Sequence, residues 1–134
     1  MPDAVIDSSA LIETFVAGAN AHPGLRRRIL GCELAAPELI DVETLGALRR
    51  LTRAGHLTEA SASAAVCDIG NAPIARAPHR PLMARIWELR HSVSAYDAAY
   101  IALAEELDVP LVTCDARLAG SNGHEAAVEL YDVS

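Results

Sequence analysis

The amino-acid sequence predicts an α/β fold in which a central, mainly parallel β-sheet is flanked by helices. Short apolar runs rich in β-branched residues alternate with longer segments of helical periodicity. Strands that alternate with helices usually form a parallel sheet covered on both faces. Hydrophobic residues make up 51% of the 134 residues, which is enough for one core, so we expect a single domain over residues 1–134. A mainly helical domain is the alternative architecture.

The first half of the chain has a clear order of predicted elements. Val5 and Ile6 indicate a short buried strand, and the helical pattern begins directly after Asp7. Glycines end three of the following helices, and Pro37 suits a first helical position. The predicted elements are a strand within 4–11, helices over 9–17 and 22–31, a strand over 33–36, and helices over 37–54 and 58–70.

The second half continues the alternation. Ser94, with Asp97 three residues later, matches an N-terminal capping pattern, and 108–110 reads as a turn. Thr113 lies near the end of a predicted strand that Asp115 follows, much as Asp7 follows the first strand. The predicted elements are a strand within 73–78, helices over 80–91 and 94–107, a strand over 111–114, a turn-rich segment over 117–123 and a strand over 127–131.

Composition excludes some classes of protein. The apolar runs are far shorter than the roughly 18 residues of a membrane span, and the N-terminus lacks the basic region of a signal peptide. We therefore expect a soluble, cytoplasmic protein with no membrane partner. Cys32, Cys67 and Cys114 are odd in number and widely spaced, which resembles neither a disulfide framework nor a zinc site. Buried free thiols are the expectation.

The charge distribution leaves two interpretations open. A net charge of -7 argues against nucleic-acid binding, because phosphate recognition depends on cations. All eleven basic residues are arginines, however, and arginine binds phosphate through a bidentate fork. The arginines form either a local basic rim or ion pairs within the chain, and composition alone favours the ion pairs. The clusters are Arg26, Arg27 and Arg28; Arg49, Arg50 and Arg53; and Arg76, Arg80, Arg85 and Arg90.

Four carboxylates require an explanation beyond solvation. Asp7 and Asp115 follow strands, and the carboxyl ends of parallel strands form the edge where α/β sheets bind ligands. Glu43 and Asp97 have apolar neighbours at helical spacing, which predicts buried faces. Ionised carboxylates that converge there repel by roughly 4 kcal/mol per pair at 4 Å and an effective dielectric of 20, unless they take up protons or hold a cation.

Each of these acids also has a purely structural interpretation. Asp7 and Asp115 would cap helices, Asp97 would favour the dipole of a helix start, and Glu43 would pair with an arginine. The coincidence of all four favours a site instead. Oxygen ligands select hard divalent ions such as Mg²⁺ or Mn²⁺, and these ions support phosphodiester hydrolysis.

Four stretches of the sequence resemble PIN-domain ribonucleases, and specifically the VapC-type toxins of bacterial toxin-antitoxin pairs. They are Val5 to Leu11, the Pro37 to Arg50 helix with Glu43, the Ser-Ala-Tyr-Asp-Ala-Ala-Tyr run from Ser94, and Leu111 to Leu118 with its Thr-Cys-Asp-Ala-Arg-Leu. The resemblance implies a three-layer PIN-like fold and a metal-dependent endoribonuclease.

The resemblance also implies the residues of the site. Asp7, Glu43, Asp97 and Asp115 would be the catalytic acidic quartet that binds Mg²⁺ or Mn²⁺. Supporting hydroxyls would come from Ser8 or Ser9 and from Thr113, which would orient the acids. Many relatives carry a further Asp or Asn after the last acid, whereas 116–118 is Ala-Arg-Leu here, which argues against a second tightly held metal.

Partners follow from the same resemblance. It implies an RNA substrate, a homodimer, and inhibition by an antitoxin whose C-terminal segment enters the active-site groove. Arg49, Arg50 and Arg53 lie beyond Glu43 on its helix and would contact substrate or antitoxin. Leucines at 45, 48 and 51 face away from Glu43 and form either core or a second contact surface.

Three other functions compete with the nuclease hypothesis. A receiver-like signalling domain is also acidic, α/β and dependent on Mg²⁺, but such domains normally need a lysine, and this chain has none. The others are a non-catalytic acidic metal-binding module and a metal-dependent phosphatase acting on a small molecule. Removal of Asp97 would separate the nuclease from a structural role for the acids.

Overall fold

The computed structural model describes residues 1–133, and its centre is a five-stranded sheet. The sheet order is β3-β2-β1-β4-β5, and all four strand pairings are parallel. The α/β class with a mainly parallel sheet is therefore confirmed. The strands are Ala4–Ile6 (β1), Leu34–Pro37 (β2), Ile74–Ala77 (β3), Leu111–Thr113 (β4) and Val128–Leu130 (β5).

Helices flank this sheet. The helix α6 packs across β1, β2 and β4, while α1, α3 and α4 pack against one another. Two 3₁₀ turns, Gly18–Asn20 and Arg80–Leu82, lie between these elements. The α-helices are Ser8–Val16 (α1), Pro23–Ile29 (α2), Ile40–Arg53 (α3), Glu59–Gly70 (α4), Met83–Glu88 (α5), Ala95–Leu107 (α6) and Ala116–Ala119 (α7).

The central strand β1 determines where functional side chains meet. Its three residues are fully buried, and it pairs with β2 through Val5 and Ala35 and with β4 through Ile6 and Val112. Because all strands run in one direction, the segments that follow β1 and β4 leave the sheet at the same edge. The β1–α1 and β4–α7 junctions are therefore neighbours in space.

The helix α6 is buried along most of its length. Every residue from Ala98 to Ala104 is at most 4% exposed, and four of these seven are alanines. Such small side chains allow the helix backbone to approach the sheet closely. Ser94 caps the helix by accepting a hydrogen bond from the Asp97 N–H at 3.2 Å, as the sequence pattern predicts.

Three predicted boundaries are wrong for physical reasons. Pro37 belongs to β2, paired with Ala77, and α3 begins only at Ile40. The helix α5 ends at Glu88 rather than His91, because the following residues form turn hydrogen bonds back to Arg85, Ile86 and Trp87. The segment predicted as turn-rich contains the short helix α7, capped by Asp115.

The structure corrects one expectation about the cysteines and shows that several arginines form the ion pairs that composition favours. Cys32, Cys67 and Cys114 are free thiols, but only Cys114 is buried, and Cys67 is exposed on α4. Several arginines of the proposed basic rim are used inside the chain: Arg28 pairs with Glu129, Arg76 with Asp41 and Arg85 with Glu105. No helix within residues 1–133 is both long enough and apolar enough to cross a membrane.

Candidate active site

Asp7 lies at the carboxyl end of β1 and is only 5% exposed. Its Oδ1 accepts hydrogen bonds from the Ala10 N–H at 3.0 Å, which caps α1, and from the Ser9 hydroxyl at 2.7 Å. Its Oδ2 accepts one bond, from the Thr113 hydroxyl at 2.5 Å. Since a carboxylate offers about four acceptor positions, Oδ2 keeps one free for a further partner. Burial raises the pKa of Asp7 despite these donors.

Thr113 joins the two strand ends. It is fully buried at the end of β4, and its Oγ1 accepts the Asp115 N–H at 2.9 Å while donating to Asp7. The Ser9 hydroxyl lies 3.2 Å from the Thr113 Oγ1 and accepts the Cys114 N–H at 3.0 Å. These bonds lock the β1–α1 junction to the β4–α7 junction. We infer that Ser9 and Thr113 orient the Asp7 carboxylate.

Asp97 lies in the first turn of α6 with its side chain 16% exposed. Its Oδ2 is buried and accepts no hydrogen bond from any residue within 1–133. Burial raises the pKa of Asp97, and the charges of Asp115 and Glu43 add to the effect, whereas Arg117 opposes it. A buried anionic oxygen without a hydrogen-bond donor is costly, so this position favours a cation.

Arg117 supplies the cation in this arrangement. Its Nη2 lies 3.1 Å from the Oδ2 of Asp97 and 3.1 Å from the Oδ2 of Asp115. The contact with Asp115 is a directed hydrogen bond, and Asp115 also caps α7 by accepting the Arg117 N–H at 2.9 Å. The contact with Asp97 is an ion pair without hydrogen-bond geometry.

Glu43 reaches the same region from α3. Its Oε1 accepts a hydrogen bond from the Tyr100 hydroxyl at 2.8 Å, so it pairs with neither Arg50 nor Arg76. Tyr100 is 1% exposed, and burial together with the Glu43 charge raises its pKa. Ser8 lies near this phenol and opposes part of the rise in its pKa. Tyr100 lies one helical turn after Asp97 on α6. Its hydrogen bond therefore positions Glu43 relative to Asp97.

The structure therefore brings the four predicted acids into one electrostatic cluster. The charge of Asp115 acts on both Asp7 and Asp97, and the charge of Glu43 acts on Asp97. Within residues 1–133, no three His, Cys, Asp or Glu side chains are arranged to hold one metal ion. The donor set still suits a hard divalent ion, because it consists of carboxylate oxygens and includes the unbonded Asp97 Oδ2.

A cavity of about 630 Å³ adjoins Glu43. Arg50, Glu38 and His79 also line it, with the His79 ring 3.8 Å from the Glu38 carboxylate, and the exposed ring of Tyr96 forms one wall. The predicted arginines separate here: Arg50 lines this cavity, whereas Arg49 and Arg53 line a shallower depression between α3 and α4. The structure does not bring Arg49 and Arg53 to the acidic cluster.

Two contacts of the site escape sequence reasoning. Tyr100 lies three residues after Asp97, so helical spacing placed it on the same face, but its hydrogen bond to Glu43 joins residues 57 apart in the chain. Arg117 follows Asp115 by two residues and gave no sign of contacting Asp97. Helix periodicity identifies a shared face, but it does not give the direction in which a long side chain turns.

The sequence and the fold of this chain are similar to those of known proteins. The family model described as the PIN domain matches residues 4–132. Ribonuclease VapC12 of Mycobacterium tuberculosis (strain ATCC 25618 / H37Rv) is 38% identical over 126 residues, which cover 94% of this chain and 97% of that protein. Ribonuclease VapC1 of the same strain is 39% identical over 132 residues, which cover 97% and 98%.

Solved structures show the same fold at lower identity. PAE2754 from Pyrobaculum aerophilum superposes with a TM-score of 0.71 at 22% identity, covering 95% of this chain and 89% of that one. VapC20 of Mycobacterium tuberculosis, a toxin that cleaves the sarcin-ricin loop, gives a TM-score of 0.64 at 21% identity, covering 89% and 96%. A chain of a toxin-antitoxin complex from Klebsiella pneumoniae gives 0.64 at 16% identity, covering 97% and 99%.

Proposed function

Because this chain belongs to the PIN-domain family, among the VapC ribonucleases, we propose that it cleaves RNA at the cluster formed by Asp7, Glu43, Asp97 and Asp115. The protein is an endoribonuclease of the toxin class. The observation that carries the site assignment is the buried Asp97 Oδ2, which accepts no hydrogen bond within residues 1–133 and lies beside a cation. We further propose that residues 1–134 act as a single PIN domain.

Each acid has a role that its contacts suit. Asp97 and Asp7 are the principal ligands, because each keeps an acceptor position on Oδ2. Asp115 and Glu43 complete the oxygen cluster for Mg²⁺ or Mn²⁺. When bound, such an ion polarises the scissile phosphate and lowers the pKa of an attacking water. Ser9 and Thr113 hold Asp7 in place, and Tyr100 holds Glu43, so the acids are positioned before substrate arrives.

The RNA strand runs through the cavity beside Glu43 in this proposal. Arg50 would contact phosphates, and the exposed face of Tyr96 suits stacking against an unpaired base. Arg49 and Arg53 lie on the far side of α3 and would serve the antitoxin instead. Both roles draw on arginines for which the structure shows no partner within residues 1–133.

Partners and compartment complete the proposal. An antitoxin occupies the active-site groove and inhibits cleavage, consistent with the toxin-antitoxin complex among the structural neighbours. The protein forms a homodimer, for which Val42, Met83 and Trp87 offer apolar side chains that are 60% or more exposed. We place it in the cytoplasm, where its free thiols stay reduced.

Replacing Asp97 by Asn tests the assignment. We expect cleavage of an RNA substrate in Mg²⁺ or Mn²⁺ to fall roughly a hundred-fold or more, because the variant loses a charged ligand while keeping its shape. Circular dichroism should show the same fold. The matched control is Asp68→Asn, an exposed acid on α4, which should cleave at the wild-type rate. Equal rates for wild type and Asp97→Asn, or wild-type cleavage in chelator, would contradict the proposal.

A further inference from the structure

A single nitrogen atom of Arg117 lies between two of the acids. Its Nη2 is 3.1 Å from one oxygen of Asp97 and 3.1 Å from one oxygen of Asp115. These two carboxylates come from different elements, the first turn of α6 and the cap of α7, so the arginine joins α6 to the β4–α7 junction. In this arrangement the guanidinium occupies the position between the two oxygens.

Among residues 1–133, the guanidinium of Arg117 has no ion pair or hydrogen bond besides these two contacts. Its side chain is 68% exposed, whereas the side chains of Asp97 and Asp115 are 16% and 31% exposed. Exposed ion pairs of this kind contribute little individually, and the pair with Asp97 lacks hydrogen-bond geometry. Arg117 can therefore leave at small cost, while the two carboxylates stay where the fold positions them.

A divalent ion that bridges the facing Oδ2 atoms of Asp97 and Asp115 would take the position of the Arg117 Nη2 and repel its charge. The ion and the guanidinium therefore compete for this position.

We propose that Arg117 is a built-in counter-cation that competes with the divalent ion for Asp97 and Asp115. The inference rests on the proposed function, because it deepens the same acidic site. In the metal-free protein Arg117 offsets the repulsion between the two acids. Metal binding then replaces one cation by another, so the affinity for metal is lower than the four acids alone would give.

Removing the arginine tests the competition directly. Metal-stripped wild type, Arg117→Ala and Arg117→Gln are titrated with Mn²⁺ by calorimetry and melted with and without the ion. Loss of two exposed ion pairs predicts binding roughly two- to thirty-fold tighter in both variants. The metal-free melting temperature should fall, because the acids lose their counter-charge, whereas the stabilisation by Mn²⁺ should grow. If Arg117 had a merely structural role, its removal would lower both the metal-free melting temperature and the stabilisation by Mn²⁺.

Two further variants serve as controls. Arg117→Lys keeps the positive charge, so its affinity should lie closer to wild type than that of Arg117→Ala. Arg27→Ala removes an exposed arginine from α2, away from the site, and should bind Mn²⁺ as wild type does. This control removes any general effect of making the protein one unit more negative.

Asp97→Asn in the same titration separates the two hypotheses. If Asp97→Asn loses Mn²⁺ binding while Arg117→Ala binds as wild type does, or more weakly, the competition is wrong and the metal site stands. If wild type and Asp97→Asn bind equally, or no variant binds, the metal site itself is wrong and the competition fails with it. Tighter binding by both arginine variants together with loss in Asp97→Asn supports the proposal.

Discussion

Asp7 divides its two oxygens between structure and chemistry. Oδ1 caps α1 and accepts the Ser9 hydroxyl, so both of its acceptor positions are taken by protein donors. Oδ2 accepts only Thr113, which leaves it available to a cation. Helix capping and ion binding are therefore compatible in one side chain, and the proposed ligand atom of Asp7 is Oδ2.

Replacing Asp7 by Asn should change how stability depends on pH. Burial raises the folded-state pKa of Asp7, so in the wild type its stabilising contribution is full below the unfolded pKa of 3.8 and is lost as pH rises through the folded value. The Asn side chain does not ionise, so the variant does not lose this stability as pH rises. In chelator, the free energy of unfolding of Asp7→Asn relative to wild type should therefore increase as pH rises above 3.8.

Urea unfolding across this pH range measures the difference. Asp68→Asn, which changes an exposed acid on α4, should track the wild type at every pH. A stability difference for Asp7→Asn that stays constant with pH would show that the buried carboxyl ionises as it does in the unfolded chain.

Arg76 connects three elements on the other side of the sheet. Its Nη2 donates to the Ile69 carbonyl at 2.9 Å, at the end of α4, and its Nε donates to Asp41 on α3 at 3.0 Å. Its Nη1 donates to the carbonyls of Ala72 and Ile74 at 3.2 Å. Of the two roles that the sequence leaves open for this arginine, the structure therefore favours the internal one, as an anchor of the α4–β3 connection.

Loss of this anchor should be costly. Arg76→Ala removes the guanidinium donors of three carbonyls and of the Asp41 carboxylate, so we expect the free energy of unfolding to fall by roughly 1 to 3 kcal/mol. The free energy of unfolding should fall less for Arg76→Lys than for Arg76→Ala. Arg53→Ala, at an exposed position near the end of α3, should stay within about 0.5 kcal/mol of wild type. Equal stability of the Ala variants in urea unfolding would contradict the anchoring role.

Elements were predictable from sequence wherever local chemistry determines them. Ser94 capping α6 and the glycine that ends α3 are local signals, and Gly55 has a φ of +79° in the left-handed region that glycine tolerates. Pro37 was not predictable, because it extends beyond the β1–β2 pairing, where its missing N–H costs nothing. Only the registers of neighbouring strands reveal this position.

The candidate site was also predictable from the sequence only in part. Sequence spacing placed Asp7 and Asp115 at strand ends, since parallel strands share one edge. It could not place the Arg117 guanidinium on Asp97, because a long flexible side chain has many rotamers and its partner lies on another element. The separation of Arg50 from Arg49 also depends on packing between α3 and α4, which one helix alone does not specify.

At the scale of the whole molecule, we expect self-association. Sedimentation equilibrium should give twice the chain mass of 14.2 kDa. Met83 and Trp87 are four residues apart on α5 and 60% and 67% exposed, so they form one apolar patch. Trp87→Glu should weaken association, because it places a charge in that patch. A wild-type mass of one chain at micromolar concentration would contradict the homodimer.

The order of strands in the sheet has a consequence for synthesis. The central strand β1 is made first, yet its partner β4 and the Thr113 hydroxyl that binds Asp7 follow more than a hundred residues later. A nascent chain on the ribosome cannot complete the acidic cluster until β4 has emerged, because contacts between distant residues form last. A chain that ends before β4 therefore lacks both Thr113 and Asp115, and it cannot form the proposed site.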